Sequence, residues 1–206
     1  MSRFSNADRA RVTAAIHDAE RKTSGEFVAV VAHAVDHDVF AALLWAAVLA
    51  LFVPGIVFLA LPRFSCVQWI EWQIGVFVVM AAVLAFTPGL AMRLIPKHIR
   101  HARARRLAHA QFYDQGVHTT HDRSGVLFFV ALAERYVEIV ADQGIHERVG
   151  EAHWQEIVER FLEPVRHGDV IGGLIAGIEA CGHAMERHYP AEPGMVHELS
   201  AGLIEL

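Results

Sequence analysis

Two stretches of the chain carry no charged residue: Val39–Leu61 (VFAALLWAAVLALFVPGIVFLAL), 23 residues, and Trp72–Met92, 21 residues. A hydrocarbon core about 30 Å thick takes about 20 helical residues to cross, so each stretch predicts a membrane-spanning helix. Pro54 and Gly55 inside the first predict a kink, and Pro88 and Gly89 lie near the end of the second. The joining loop at 62–71, PRFSCVQWIE, is short, and Trp69 and Trp72 stand where an interfacial aromatic belt is expected.

Elsewhere the apolar spacing changes period. Val12, Ala15, Ile16 and Ala19 recur at helical spacing after Ser5 or Asn6 as cap, and Thr23-Ser24-Gly25 ends that helix. Glu26–His33 (EFVAVVAH) reads as a strand buried on both faces. Pro96–Tyr113 predicts a helix with a small apolar stripe of Ile99, Ala102 and Ala110. A loop follows, DQGVHTTHDRS, and then Gly125–Leu132 (GVLFFVAL) and Tyr136–Ala141 (YVEIVA) predict a hairpin. Trp154, Ile157, Val158, Phe161, Leu162 and Val165 stripe a helix that Gly168 stops. Asp169 caps the last helix, whose stripe is Ile171, Leu174, Ile175, Ile178, Cys181 and Met185. It runs to about His188, before Pro190 and Pro193.

The order is thus α, β, membrane hairpin, α, β, β, α, α. If strands 26–33 and 125–132 are parallel neighbours, everything between them is a crossover. The hairpin is then an insertion within a βαβ unit, and the water-facing domain is discontinuous. Residues 1–38 supply its first helix and strand, 39–92 the hairpin (39–61 and 72–92), and 93–206 a basic helix and the remainder.

Charge sets the orientation. The net charge of −5 is spread unevenly, and Arg93, Lys97, Arg100, Arg103, Arg105 and Arg106 follow the second span without an interrupting acid. The positive-inside rule places that end in the cytoplasm, and a hairpin returns residues 1–38 to the same side. The expected location is the plasma (inner) membrane, crossed twice, with the 62–71 loop facing the periplasm or exterior. Residues 1–25 carry charges throughout and no apolar h-region, so no secretory signal is expected. Cys66 and Cys181 would lie on opposite sides of the bilayer as ordinary thiols. The six cations also suit anionic lipid headgroups, at about 1 kcal/mol per basic residue close to the surface. Nucleic acid is not an expected partner, because no aromatics interleave the basic run and it abuts a span.

T-S-G-E followed by a hydrophobic strand (Thr23 to Val31), then SGVLFFVALAER and VEIVADQGI (Ser124 to Ile145), resemble the TPM domain family. Trp154 and the run Gly173, Gly177, Ile178, Gly182 resemble it too. The likeness covers nearly all of the chain outside residues 37–95, and the internal hairpin resembles a bacterial membrane-anchored subgroup. It implies an α/β/α sandwich. It does not imply one reaction, since members are associated with weak acid phosphatase activity, calcium binding and partner assembly. Related sequences often carry N-E-L-P where this chain has His197-Glu198-Leu199-Ser200.

Strand geometry brings Glu26, Asp122 and Asp142 to one end of the sheet, where with a sharp turn at Gly144 they could ligate Ca²⁺ or Mg²⁺. Equally, each could cap a helix or turn, or face water. The densest of the fourteen histidines are His118-x-x-His121-Asp122 and Asp36-His37-Asp38, and neither group has zinc-site spacing. Ser24, Ser124 and His121 form no recognisable nucleophile motif. Two functions follow: a membrane-anchored domain binding a membrane or cytoplasmic protein, or a metal-dependent, phosphatase-like hydrolase.

Overall fold

The computed structural model describes residues 4–35, 39–60, 65–87, 95–120, 123–191, 199 and 202–206. The chain forms two compact units, Met1–Val35 with His101–Leu206, and Asp36–Arg100.

The first unit is built on a mixed sheet. Helix α1 (Asn6–Glu20) starts at Ser5, whose Oγ accepts the Asp8 N–H at 3.1 Å while Asp8 Oδ2 accepts the Ser5 N–H at 3.1 Å. These bonds to Ser5 hold the Asp8 carboxyl below its ordinary value. Strand β1 (Glu26–Ala32) lies parallel to β2 (Gly125–Ala131), in register from Glu26↔Gly125 to Ala32↔Ala131. β3 (Tyr136–Ala141) pairs antiparallel with β2, and β4 (Leu203–Glu205) parallel with β1, giving the order β3-β2-β1-β4. The parallel pairing and the hairpin agree with the sequence. β4 was not expected, because a three-residue strand leaves no periodicity to read.

β1 and β2 are buried along their whole length, as strands covered on both faces must be. Phe27, Ala29, Val31, Val126, Phe128 and Val130 share one apolar cluster with residues of α1, α6 (Glu151–Arg166) and α7 (Val170–Glu186). The alternate residues, Val28, Val30, Ala32, Leu127, Phe129 and Ala131, cluster with Ala104, Ala108 and Phe112 of α4 (Lys97–Asp114). Helices therefore cover both sides of the sheet.

The buried face of α4 is not the predicted one. Ala102 and Ala110 are exposed and Ile99 is 37% exposed, whereas Ala104, Ala108, Gln111 and Phe112 are buried. Methyl groups at 104 and 108 bring the helix close to the sheet, and a glutamine on that face hides it from an apolar count. A short helix, α5 (Gln143–Val149), also went unforeseen. Gly168, at φ +90°, and Asp169, whose Oδ1 accepts the Gly172 N–H at 2.8 Å, separate α6 from α7 as expected. Val158 is 37% exposed and leaves the α6 stripe, whereas Trp154, Ile157 and Phe161 are buried and Val165 packs against the same core. The glycine run in α7 marks close approach. A Cβ on Gly177 would lie 2.9 Å from the Phe128 ring and 3.0 Å from Phe161 Cβ, and one on Gly182 would lie 2.9 Å from Ala19 Cβ.

The second unit contains α2 (Val39–Ala60), which continues through Pro54 and Gly55, and α3 (Cys66–Phe86). The second helix begins six residues before the predicted span. Ser65 and Gln68 form a capping box, with the Ser65 N–H donating to Gln68 Oε1 at 3.0 Å, so Trp69 and Trp72 sit in the opening turns. Thr87 ends the helix, and the remainder of the predicted span, 88–92, lies outside the described residues. Ala46 and Leu84 form a small core with Trp45, Phe77, Met80 and Ala81. Among the described residues one helical stretch, Val67–Leu84, is long and apolar enough to cross a membrane, and a shorter apolar stretch covers Leu43–Phe52.

Candidate functional site

The Thr23–Glu26 segment enters β1 through a buried net of hydroxyl–backbone bonds. Thr23 Oγ1 donates to the Tyr189 carbonyl at 2.5 Å and accepts the Gly25 N–H at 3.2 Å. The Ser24 N–H donates to the same carbonyl at 2.9 Å, and Thr23 forms an isolated antiparallel bridge with Pro190. Ser124 Oγ donates to the Ser24 carbonyl at 3.1 Å, tying the starts of β1 and β2 together. The Ser124 N–H in turn donates to Thr120 Oγ1 at 3.2 Å, and that hydroxyl donates to the Val117 carbonyl at 3.3 Å. The Met185 methyl packs onto Gly25, occupying the space a Cβ would take, so a larger residue there would displace it. The T-S-G-E motif is therefore a packed joint. The hydroxyls of Thr23, Thr120 and Ser124 each donate to a backbone carbonyl, so none stands poised as a nucleophile.

The carboxylates expected at this end are positioned by the same strands. Glu26 is buried, and its Oε2 accepts the N–H of Leu199, the one described residue of His197-Glu198-Leu199-Ser200, at 3.3 Å. Asp142 occupies the N-cap position of α5 without a side-chain cap bond, and its N–H donates to the Gly125 carbonyl at 3.0 Å. Glu26 and Asp142 thus flank Gly125 on neighbouring strands. The room above Gly125 is filled by the Val117 carbonyl and side chain, which a Cβ there would strike. Asp122 and His121 lie outside the described residues. No three groups able to ligate a metal gather among the described residues. Gly144 sits inside α5 rather than at a sharp turn, and what it provides is room beside the Arg123 carbonyl (3.1 Å from a would-be Cβ) and the Tyr189 hydroxyl (3.2 Å).

The basic residues are spread around α4 instead of forming a single stripe. Arg105 Nε lies 3.7 Å from Glu138 Oε1, and His109 Nε2 lies 3.5 Å from the same oxygen. Arg106 Nε donates to its own helix at the Ala102 carbonyl, 3.4 Å away. Lys97 is exposed, Arg100 and Arg103 are half-buried, and Arg93 lies outside the described residues. The Tyr136 hydroxyl donates to Glu138 Oε2 at 3.0 Å. Burial first, and then Glu138, push that phenol up to about 12. Of the histidine groups, His118 rests against the Tyr113 ring at 5.0 Å, while Asp36, His37 and Asp38 lie outside the described residues.

At the other end of the sheet stand residues that periodicity could not flag. Glu134 in the β2–β3 turn is buried, and its Oε1 accepts the Val35 N–H at 3.1 Å. Glu205 of β4 takes Arg9 at 2.9 Å and His33 at 3.4 Å. Each is a single acid in a short element, recognisable only once the partner is in place. Cys181 is fully buried, which raises its thiol and leaves it inert.

Residues 91–184 match the family model described as the TPM domain. The match takes in α4, β2, β3, α5, α6 and most of α7, yet β1, from outside it, lies at the centre of the sheet. No curated protein matches the chain. Among solved structures the chain is similar to the NMR structure of the BA42 protein from the psychrophilic bacterium Bizionia argentinensis sp. nov.. The TM-score is 0.62 at 18% identity, covering 100% of this chain and 97% of that one, and at that identity the likeness is one of fold.

Proposed function

We propose that the chain is a TPM-like domain anchored in the plasma membrane by α2 and α3 as a two-pass hairpin, and that its water-facing unit is cytoplasmic and binds a partner protein. One observation carries the anchor. Leu43, Leu44, Leu51, Phe52 and Ile56 of α2 are exposed, as are Val67, Ile70, Trp72, Ile74, Val78, Val79, Val83 and Phe86 of α3. Soluble monomers rarely expose contiguous apolar patches beyond a few hundred Å². Apolar area left in water forgoes about 25 cal/mol per Å². A bilayer removes that cost. The orientation rests on the cations that follow the second span. Partner binding is favoured over catalysis because the Thr23, Thr120 and Ser124 hydroxyls each donate to a backbone carbonyl within the fold.

The topology is tested by thiol labelling of intact cells with a membrane-impermeant reagent. Cys66 should react. Cys181 is silent from either side because it is buried, so the cytoplasmic reporter is Glu163→Cys, at an exposed position on α6. That variant should label only after lysis, and its labelling in intact cells would invert the orientation. Crosslinking in native membranes should then yield a stable partner. Metal-dependent hydrolysis of a phosphate ester, abolished by Asp142→Asn, would replace partner binding with catalysis.

A further inference from the structure

Helices α6 and α7 enclose an open groove of about 410 Å³, a volume within the range of small-molecule sites. Its floor is apolar and shallow-chained: buried Ile157 from α6, and Ala180 and Ala184, one turn apart on α7. The two alanines leave the room, because a longer residue at either position would fill it. The walls are the reverse in character. His153, Glu156 and Arg160 line one side at helical spacing, and His183, Arg187 and His188 line the other.

The groove therefore gathers two guanidiniums and three imidazoles around one carboxylate. Glu156 is already engaged by Arg160, at 2.8 Å, and His183 has only a distant contact at 3.8 Å to Glu186 outside the groove. Arg187, His153 and His188 have no ion-pair or side-chain hydrogen-bond partner among the described residues. Two permanently charged guanidiniums beside a single carboxylate disfavour a cation, and no metal-binding triplet forms among the described residues. A guanidinium fork is matched to an oxyanion, which it can hold through two parallel N–H bonds. We propose that this groove binds a small oxyanion, a phosphate-like group held between Arg160 and Arg187. In this site Glu156 holds the Arg160 fork in place, and the histidines supply further N–H donors. The apolar floor accommodates a small organic body attached to the anionic group.

The test uses the full chain in a neutral detergent, titrated calorimetrically with sodium phosphate against sodium chloride of equal ionic strength. Saturable heat above the chloride control is expected. The double variant Arg160→Gln, Arg187→Gln should weaken phosphate binding about tenfold or more, the scale of losing charge-assisted hydrogen bonds. Both side chains are exposed, so its melting temperature in chloride should match that of the wild type. Arg166→Gln, exposed on the same helix outside the groove, should bind as the wild type does. The same group can arrive on a free molecule or on a lipid headgroup, and nanodiscs separate the two. Phosphate heat lost in discs containing phosphatidate, but kept in pure phosphatidylcholine, assigns the lipid, and heat kept in both assigns a free ligand. No saturable heat, a double variant that binds like the wild type, or equal weakening by Arg166→Gln would each overturn the site.

Discussion

The sheet unit and the helical pair place the same residue types in opposite positions. In the sheet unit four phenylalanines, Phe27, Phe128, Phe129 and Phe161, are fully buried. In the helical pair Phe52, Trp72 and Phe86 are exposed, while the buried residues include the small Ala46 and Ala50 together with Leu84. In water the first arrangement gains from each aromatic it hides. In hydrocarbon that gain vanishes, and small residues at the contact matter more because they let helices approach. The two units are thus consistent with two solvents. The average composition, 54% hydrophobic and 20% charged, describes neither.

The sharpest test of this division is to separate the units. β1 lies between β2 and β4, and α1 and β1 precede the helical pair in the chain. Residues 96–206 alone lack them, so β2 is left with an open edge and half its apolar partners. That fragment should show no cooperative thermal transition. Joining 1–36 to 96–206 through a flexible linker should restore one without detergent. A cooperative transition in the fragment alone would break the comparison, because the sheet would then not need its first strand.

Glycines sharpen the contrast at single-residue scale. Gly177→Ala places a methyl against Phe128 and Phe161, whose rings already meet edge-to-face with centroids 5.6 Å apart. Overpacking of that kind costs about 1–3 kcal/mol, to be read from the denaturant midpoint. Gly75 in α3 has nothing within 4 Å of where its Cβ would lie. Gly75→Ala should therefore leave the detergent-embedded chain no less stable. Equal losses at both positions would mean that α3 packs on its outer face after all. Thr23→Val is a smaller change in a different currency. It leaves the buried Gly25 N–H without its acceptor and removes one of two donors to the Tyr189 carbonyl, for a loss of about 1–2 kcal/mol in chemical denaturation.

How far the sequence could be read depended on how each element announces itself. β1 and β2 were legible because a strand buried on both faces is a continuous apolar run, and Gly168-Asp169 was legible as a stop and a cap. The packing face of α4 was not, because alanines and Gln111 do the contacting and neither stands out in an apolar pattern. β4 was invisible at three residues, and α5 is a single short turn pair after Asp142. The start of α3 was set by the Ser65–Gln68 box, which lies inside a stretch that reads as a loop by hydropathy alone. At the candidate site, strand pairing placed Glu26 and Asp142 at one end as expected. What it could not show was Val117 filling the space over Gly125, since that contact comes from a loop of no recognisable period.

The smallest expected effect lies on β3, which belongs to neither extreme because its side chains are half-buried. The Tyr136 phenol is pushed up to about 12 by burial, then by its hydrogen bond to Glu138 and by that residue's charge, with Arg105 opposing. The folded-state value is thus above the ordinary value of about 10 for an unfolded chain. A group shifted in this direction contributes stability that is fully present below about pH 10 and is lost as pH rises through about 12. The side chain is substantially exposed, so the effect is discounted by solvent screening and should be a change of slope instead of a collapse. Residues 39–92 contain no tyrosine or lysine, so they add no such group to this pH window. Tyr136→Phe should therefore cost little at pH 7, on the order of the single hydrogen bond to Glu138, roughly 0.5–1.5 kcal/mol. Between pH 10 and 12 its denaturant midpoint should fall less steeply than that of the wild type. Parallel slopes for the two proteins would show that the phenol titrates alike in both states, and that this edge of the sheet is wetter than its partly buried side chain implies.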